Sequence, residues 1–270
     1  VKTGQAHNSF EGGTDGVAVT GANSGGASGD AFDPIDTPNY RLDFDNTRAA
    51  HGSLSAVNND NSPEVGYDHS LPENGEHWGR MYLYLTDDPP LDIQTLYLTF
   101  GDASTPTPDA ESAGIKLLTN RKLRVQGNDA VDGTVNVAFN QWIRIEFHFK
   151  VGALGVGIAE AKLFNTMDSV VPDDVITYNA QAFPLYVGGD TGSGNQFKLF
   201  AFLDSTFFST PGVWIDDVEL NLLEYPGPYP NTPSLLIPTP LASGATTATA
   251  NPATVAGIGA VPAPTASGSA

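Results

Sequence analysis

The sequence predicts an all-β protein built as two stacked antiparallel sheets, a sandwich of the jelly-roll type. Short strand-like runs recur along residues 1–225, clusters of Gly, Asn, Asp, Ser and Pro separate them, and no stretch has a convincing helical period. About eleven such runs, with no helix to cover a sheet, leave sheet-on-sheet packing as the way to bury their apolar faces.

Alternation is clearest in two runs, 78–86 and 142–150. In the second, the apolar side chains that share one face are Ile143, Ile145, Phe147 and Phe149. The opposite face carries Trp142, Arg144, Glu146, His148 and Lys150. In the first run, Met81, Leu83 and Leu85 form the apolar face. A period of two with one apolar face predicts a sheet packed on one side and exposed to water on the other.

The remaining predicted strands are shorter and less regular. They span 41–44, 94–100, 115–118, 123–126, 134–138, 157–164, 185–187, 196–203 and 213–223. Turn residues such as Gly127-Asn128-Asp129 and Thr210-Pro211-Gly212 connect them.

Composition excludes several classes of function. The chain has 12 basic and 31 acidic residues, a net charge of −19, which disfavours binding to nucleic acid or to an anionic membrane surface. Cysteine is absent, so there is no disulfide framework or thiol nucleophile. No apolar run is long enough to cross a bilayer.

The composition changes after Glu224, the last charged residue, which predicts a folded domain over 1–225 and a low-complexity arm over 226–270. The arm consists mainly of Pro, Ala, Thr, Gly and Ser and cannot bury enough apolar surface to fold alone. Two interpretations stay open: a flexible linker, or an arm that orders against a neighbouring subunit through Leu235, Leu236 and Ile237.

Carboxylates near the two ends of the domain form a candidate metal site. The first and last strands of a jelly roll usually lie side by side, which would bring Glu11 close to Asp216, with Asp217 as an alternate ligand. Carboxylate and carbonyl oxygens suit calcium. The Phe10-Glu11 and Ile215-Asp216-Asp217-Val218 segments also resemble a pattern of jelly-roll carbohydrate-binding modules, where these carboxylates hold a structural calcium ion. The alternative is a pair of solvated strand-end carboxylates.

The order of the central runs carries a second resemblance. The segments 78–85, 122–125 and 140–146, together with the Ala/Pro/Val-rich 251–264, resemble laminin-G-like, concanavalin-type domains in minor tail proteins of phages that infect actinobacteria. The resemblance implies an extracellular virion protein whose partners are other tail proteins, copies of itself and host-surface polysaccharide. Fold-level resemblance alone does not establish function.

Glycan binding requires an aromatic platform flanked by hydrogen-bonding side chains. Six residues of the two alternating runs form the candidate site: Trp78, Arg80, Tyr82, Tyr84, Trp142 and Arg144. The alternative is that loops or a neighbouring subunit cover these aromatics.

Catalytic motifs are missing from the sequence. It has no Glu-x-Asp-x-x-Glu glycosidase motif, no Gly-x-Ser-x-Gly elbow and no His-Glu-x-x-His, and His69 and His77 are interpreted as surface residues. The sequence therefore favours a non-enzymatic structural tail protein. A carbohydrate-binding module is the alternative, and a glycosidase ranks third.

Overall fold

The computed structural model describes residues 5–32, 42–58, 64–67, 76–86, 97–101, 114–126, 130–150, 152–183, 196–200 and 212–229. The predicted strand at 185–187 and the arm residues 230–270, with Leu235, Leu236 and Ile237, lie outside this part of the chain. The division into a domain over 1–225 and an arm over 226–270 stays a prediction.

Every regular element in the described ranges is a strand. They are β1 (Ala6–Asn8), β2 (Leu42–Asp45), β3 (Ser55–Asn58), β4 (Glu64–Tyr67), β5 (Glu76–Leu85), β6 (Tyr97–Gly101), β7 (Gly114–Leu117), β8 (Lys122–Gln126), β9 (Ala130–Asn136), β10 (Trp142–Lys150), β11 (Gly152–Phe164), β12 (Asp174–Phe183), β13 (Gln196–Phe200) and β14 (Val213–Asn221). These residues include no helix that could span a membrane.

The strands form two layers of antiparallel sheet. The large sheet has the order β12-β11-β10-β5-β14-β3-β2, with β1 also paired to β14. Two three-stranded sheets, β4-β13-β6 and β7-β8-β9, form the second layer, in which β6 lies next to β7. The predicted all-β, two-sheet antiparallel jelly-roll sandwich is confirmed.

The core lies between the layers, and the predicted apolar face of β10 is confirmed. Ile143, Ile145, Phe147 and Phe149 are at most 2% exposed, and Met81, Leu83 and Leu85 of β5 are buried beside them. A small apolar cavity in this core is lined by side chains from both layers: Leu83, Leu85, Leu117, Leu123, Val137, Ile143, Ile145 and Val213. His77 was predicted at the surface, but it is fully buried, because it pairs with Phe149 on this inner face.

The expectation of a water-exposed opposite face is wrong at its centre. Arg144 and Glu146 on β10, and Arg80 and Tyr82 on β5, are at most 3% exposed. At the ends of this face Trp142, His148 and Lys150 are half-buried.

The ends of the domain meet as predicted. β1 pairs with β14 from Ala6 opposite Leu220 to Asn8 opposite Val218, whereas Trp214 and Ile215 pair with β3 on the same side of β14. The change of partner falls at a β-bulge between Asp216 and Glu219. A bulge adds a residue and bends the strand, and Asp217 adopts a left-handed φ of 43° there.

Candidate functional site

The candidate site is the outer face of the large sheet, which points away from the core. On the neighbouring strands β10, β5 and β14, strand register aligns the outer-face side chains in four rows: Trp142, Tyr84 and Trp214; Arg144, Tyr82 and Asp216; Glu146, Arg80 and Glu219; and His148, Trp78 and Asn221. The six residues predicted to bind glycan all lie on this face.

Trp142, Tyr84 and Trp214, here called the aromatic row, lie at one end of this face. The ring centroids of Trp142 and Tyr84 are 5.7 Å apart, and those of Tyr84 and Trp214 are 5.8 Å apart, both edge-to-face. Trp214 is buried, and its Nε1–H donates to Asp45 Oδ1 at 2.9 Å. Trp142 and Tyr84 remain half-buried, so part of each ring stays accessible.

Arg48, in the loop between β2 and β3, lies on the aromatic row. The centre of its guanidinium is 4.1 Å from the ring centroid of Trp214 and 4.7 Å from that of Tyr84. A guanidinium this close to two aromatic rings is attracted to their π-electrons.

The centre of the face is covered first by the loop between β11 and β12. Arg144 donates through Nη1 to the carbonyl of Met167 and through Nη2 to that of Ser169, the latter at 2.6 Å. Its guanidinium also lies 3.8 Å from the ring centroid of Phe164. Both terminal nitrogens of Arg144 therefore donate within the protein, whereas its buried Nε has no hydrogen-bond partner among the described residues.

The chain after β14 covers the rest of the centre. Arg80 Nη1 donates to the Gly227 carbonyl at 2.8 Å, and the Tyr229 N–H donates to the hydroxyl of Tyr82 at 2.8 Å. The hydroxyl of Tyr225 donates to Glu160. Residues 225–229 thus lie against the sheet and exclude a ligand from Arg80 and Tyr82.

Burial changes the ionisation of this covered region. Arg80 pairs with Glu219 at 2.8 Å and Arg144 with Glu146 at 2.9 Å. Desolvation raises the pKa of Glu146 above its usual value, although the charge of Arg144 opposes the shift. Burial likewise raises the pKa of the Tyr82 hydroxyl. Paired charges at this depth add little net stability, because the cost of their desolvation offsets their attraction.

A second aromatic contact lies at the other end of the face. Trp78 stacks on His148 with ring centroids 4.4 Å apart and an interplanar angle of 4°. Burial lowers the pKa of His148, against the effect of its contact with Glu76. Lys150 donates to Glu76 at 2.5 Å and lowers the pKa of that carboxyl. Trp78 lies six residues from Tyr84 along β5, about 20 Å away.

His51 joins the covering segments to the bulge of β14. Its Nδ1 lies 2.6 Å from Asp217 Oδ2, and its Nε2 lies 3.3 Å from Asp168 Oδ1 in the β11–β12 loop. The ring of Tyr229 packs against it with centroids 4.7 Å apart. Because both ring nitrogens face carboxylates, neither is directed at a ligand as a free base.

The residues predicted to hold calcium contact one loop, at 50–54. Glu11 accepts hydrogen bonds from the Ser53 N–H, the Ser53 hydroxyl and the Leu54 N–H at 2.8–2.9 Å. Asp216 accepts from Ala50 N–H at 2.8 Å and from Asp217 N–H at 2.8 Å. Burial and the charge of Asp217 raise the pKa of Asp216 well above its usual range.

These contacts describe carboxylates that cap a loop with their acceptor sites occupied by N–H and O–H donors. Within the described residues no group of three or more His, Asp or Glu side chains could hold a metal ion. The predicted site would therefore need backbone carbonyl oxygens besides Glu11 and Asp216, and the calcium ion stays a prediction for experiment.

Only two of the six predicted glycan-binding residues, Trp142 and Tyr84, are both in contact and accessible. Trp78 is at the far end, and Arg80, Tyr82 and Arg144 are covered. Sequence reasoning missed Trp214 and Arg48. The alternating Val213-Trp214-Ile215 indicates the face of Trp214 but not its neighbours, and no local pattern marks Arg48.

Neither a protein-family model nor a curated protein matches the sequence. Among solved structures, an endo-β-1,4-glucuronan lyase from the fungus Trichoderma reesei is similar over 81% of this chain and 95% of its own, at 15% identity and a TM-score of 0.51. At that identity the similarity shows the fold alone.

Two further structures are less similar. Arcelin-5, a lectin-like defence protein from Phaseolus vulgaris, matches over 81% of this chain and 98% of its own, at 6% identity and a TM-score of 0.45. Domain 4 of an arabinanase from Geobacillus stearothermophilus, in complex with arabinotriose, matches over 80% and 91%, at 16% identity and a TM-score of 0.41. Scores this low carry no argument about function.

Proposed function

We propose that the domain is a non-enzymatic glycan-binding module, in which the aromatic row and Arg48 hold the sugar. One observation carries this proposal. The centre of the outer face is covered, yet Trp142, Tyr84 and the neighbouring Arg48 are only half-buried. Aromatic surface with polar groups at its edge suits the apolar faces and hydroxyl groups of a sugar ring.

The test is binding of the full chain to oligosaccharides selected on a glycan array, followed by titration calorimetry. Trp142→Ala should weaken binding at least about tenfold, a loss typical of a central aromatic contact. Trp78→Ala is the matched control, because it removes another half-buried indole from the same face and should change Kd by less than about twofold. Equal effects of the two substitutions, or no binding to any glycan, would contradict the proposal.

The absence of catalysis is part of this proposal. It is supported by the missing glycosidase motif and by His51, whose two ring nitrogens both face carboxylates. Polysaccharides that bind should be incubated with the full chain and assayed for new reducing ends and for unsaturated products. We expect neither product. Turnover abolished by Trp142→Ala would instead make the outer face an active site.

For the biological setting we propose an extracellular phage virion, with the domain in the tail and other tail proteins and copies of itself as partners. The sequence resemblance and the uncharged stretch 226–270 support this proposal. Deleting the residues after Pro230 should leave the sandwich folded but reduce incorporation into particles. Incorporation at the full-length level would make the arm a passive linker.

A further inference from the structure

Arg48 combines two properties that point to the chemistry of its ligand. The centre of its guanidinium lies 4.1 Å from the ring centroid of Trp214 and 4.7 Å from that of Tyr84, and the residue is half-buried. The five N–H donors of a guanidinium lie in its plane and point outward from its edge. The two ring contacts hold the guanidinium in place.

The charge surroundings of Arg48 differ from those of its neighbours. On the same face Arg80, Arg144 and Lys150 are each within 3 Å of a carboxylate, those of Glu219, Glu146 and Glu76. Arg48, in contrast, has no carboxylate oxygen within 4 Å among the described residues, in a chain with 31 acidic and 12 basic residues. Asp45, close in sequence, instead accepts hydrogen bonds from Trp214 Nε1–H and from the N–H and hydroxyl of Thr47.

We infer that Arg48 binds a carboxylate of the ligand, so that the glycan is an acidic one that contains uronic acid units. This inference rests on the proposed glycan-binding function. A guanidinium fork and a carboxylate form two parallel hydrogen bonds, and the half-buried ring of Trp142 in the same row would contact the apolar face of the same sugar. The net charge of −19 opposes an anionic ligand only weakly here, because charges more than about 8 Å away are largely screened at physiological ionic strength.

The experiment compares uronic acid tetrasaccharides with their carboxyl-reduced counterparts, in which each carboxylate is replaced by a hydroxymethyl group. Glucuronate, galacturonate and mannuronate tetramers are titrated into the full chain. For the uronate that binds, we expect the wild type to prefer the acidic form at least tenfold. Arg48→Gln should remove this preference, and Arg48→Lys should restore only part of it.

Arg124→Gln is the control, because it also removes one half-exposed Arg, here paired with Asp132 on the second layer. It should leave the preference intact. Equal affinity for the acidic and reduced forms, or a preference that survives Arg48→Gln, would overturn the inference while glycan binding itself stands. Binding of neither the acidic nor the reduced sugars, with no array ligand, would instead contradict the proposed function.

Discussion

At the centre of β10 both faces of the strand are buried, but by different means. Phe147 is 1% exposed on the inner face, and Arg144 is 1% exposed on the outer face. Phe147 belongs to the apolar core cluster of the domain. Loop and C-terminal segments cover the outer face with backbone carbonyls that accept hydrogen bonds from Arg144 and Arg80. Charged side chains can therefore be buried where chain segments supply hydrogen-bonding partners.

The largest expected effect of a point change is on the inner face. Phe147→Ala should lower the free energy of unfolding by about 3–5 kcal/mol, because it leaves a cavity between the two layers. Chemical denaturation of the full chain measures this. A loss below about 1 kcal/mol would mean that this ring is not enclosed by the core.

The second-largest loss of stability is expected at the centre of the outer face, where it tests whether the covering segments exclude water. Arg144→Ala removes the partner of buried Glu146 and of two carbonyls, which should cost about 3 kcal/mol. Arg124→Ala breaks an ion pair between side chains that are 34% and 39% exposed, and should cost less than about 1 kcal/mol. If the two substitutions cost the same small amount, the centre of the outer face is open to water after all.

Stability measured with and without calcium distinguishes two roles of Glu11, as a ligand of the ion or as a cap of the 50–54 loop. The hydrogen bonds from Ser53 and Leu54 favour the cap, so Glu11→Gln should cost about 1–3 kcal/mol with calcium or with a chelator. Thermal melts in both conditions measure this. A midpoint that calcium raises in the wild type, but not in Glu11→Gln, would support the predicted ion.

The smallest effect is a pH dependence. Because burial raises the pKa of Glu146 in the folded state, its contribution to stability is complete below the unfolded pKa and is lost as pH rises through the folded pKa. The wild type should therefore lose stability relative to Glu146→Gln as pH rises from about 4 towards neutral. Urea denaturation over this range measures the difference.

Glu76 provides a control of opposite sign. Its pKa is lowered, mainly by the hydrogen bond from Lys150, so its contribution is present above the unfolded pKa and is lost as pH falls through the folded pKa. The wild type should gain stability relative to Glu76→Gln over the same rise in pH. Parallel trends for the two variants would show that the pH dependence does not report burial of Glu146.

Local pattern was sufficient to predict the inner face. The period-two alternation placed the apolar side chains of Ile143, Ile145, Phe147 and Phe149 correctly in the core. The pleat of a strand alone directs alternate side chains to opposite faces of the sheet. It could not predict the cover of the outer face, since Arg144 meets Met167 and Ser169 more than twenty residues later. β12 was also missed, because Asp174-Val175-Ile176-Thr177 lacks the long alternation of β10.

Only part of the candidate site could be predicted, because local pattern gives the face of a side chain but not its contacts with distant residues. The face of Trp142 and Tyr84 follows from each strand separately, but their contact depends on the register between β5 and β10. The approach of Arg48 depends on a loop that two carboxylates hold in place, Glu11 and Asp216. Neither the register between the two strands nor the position of this loop can be predicted from neighbouring residues in the sequence.

The chain has three tryptophans, and their indole N–H signals in a ¹⁵N-correlated NMR spectrum test the glycan-binding claim most directly. The full chain is titrated with a glycan selected on the array. We predict that the signals of Trp142 and Trp214, in the aromatic row, shift together with one Kd while that of Trp78 stays in place. A shift of Trp78 alone, or three signals unchanged at saturating glycan, would contradict binding at the aromatic row.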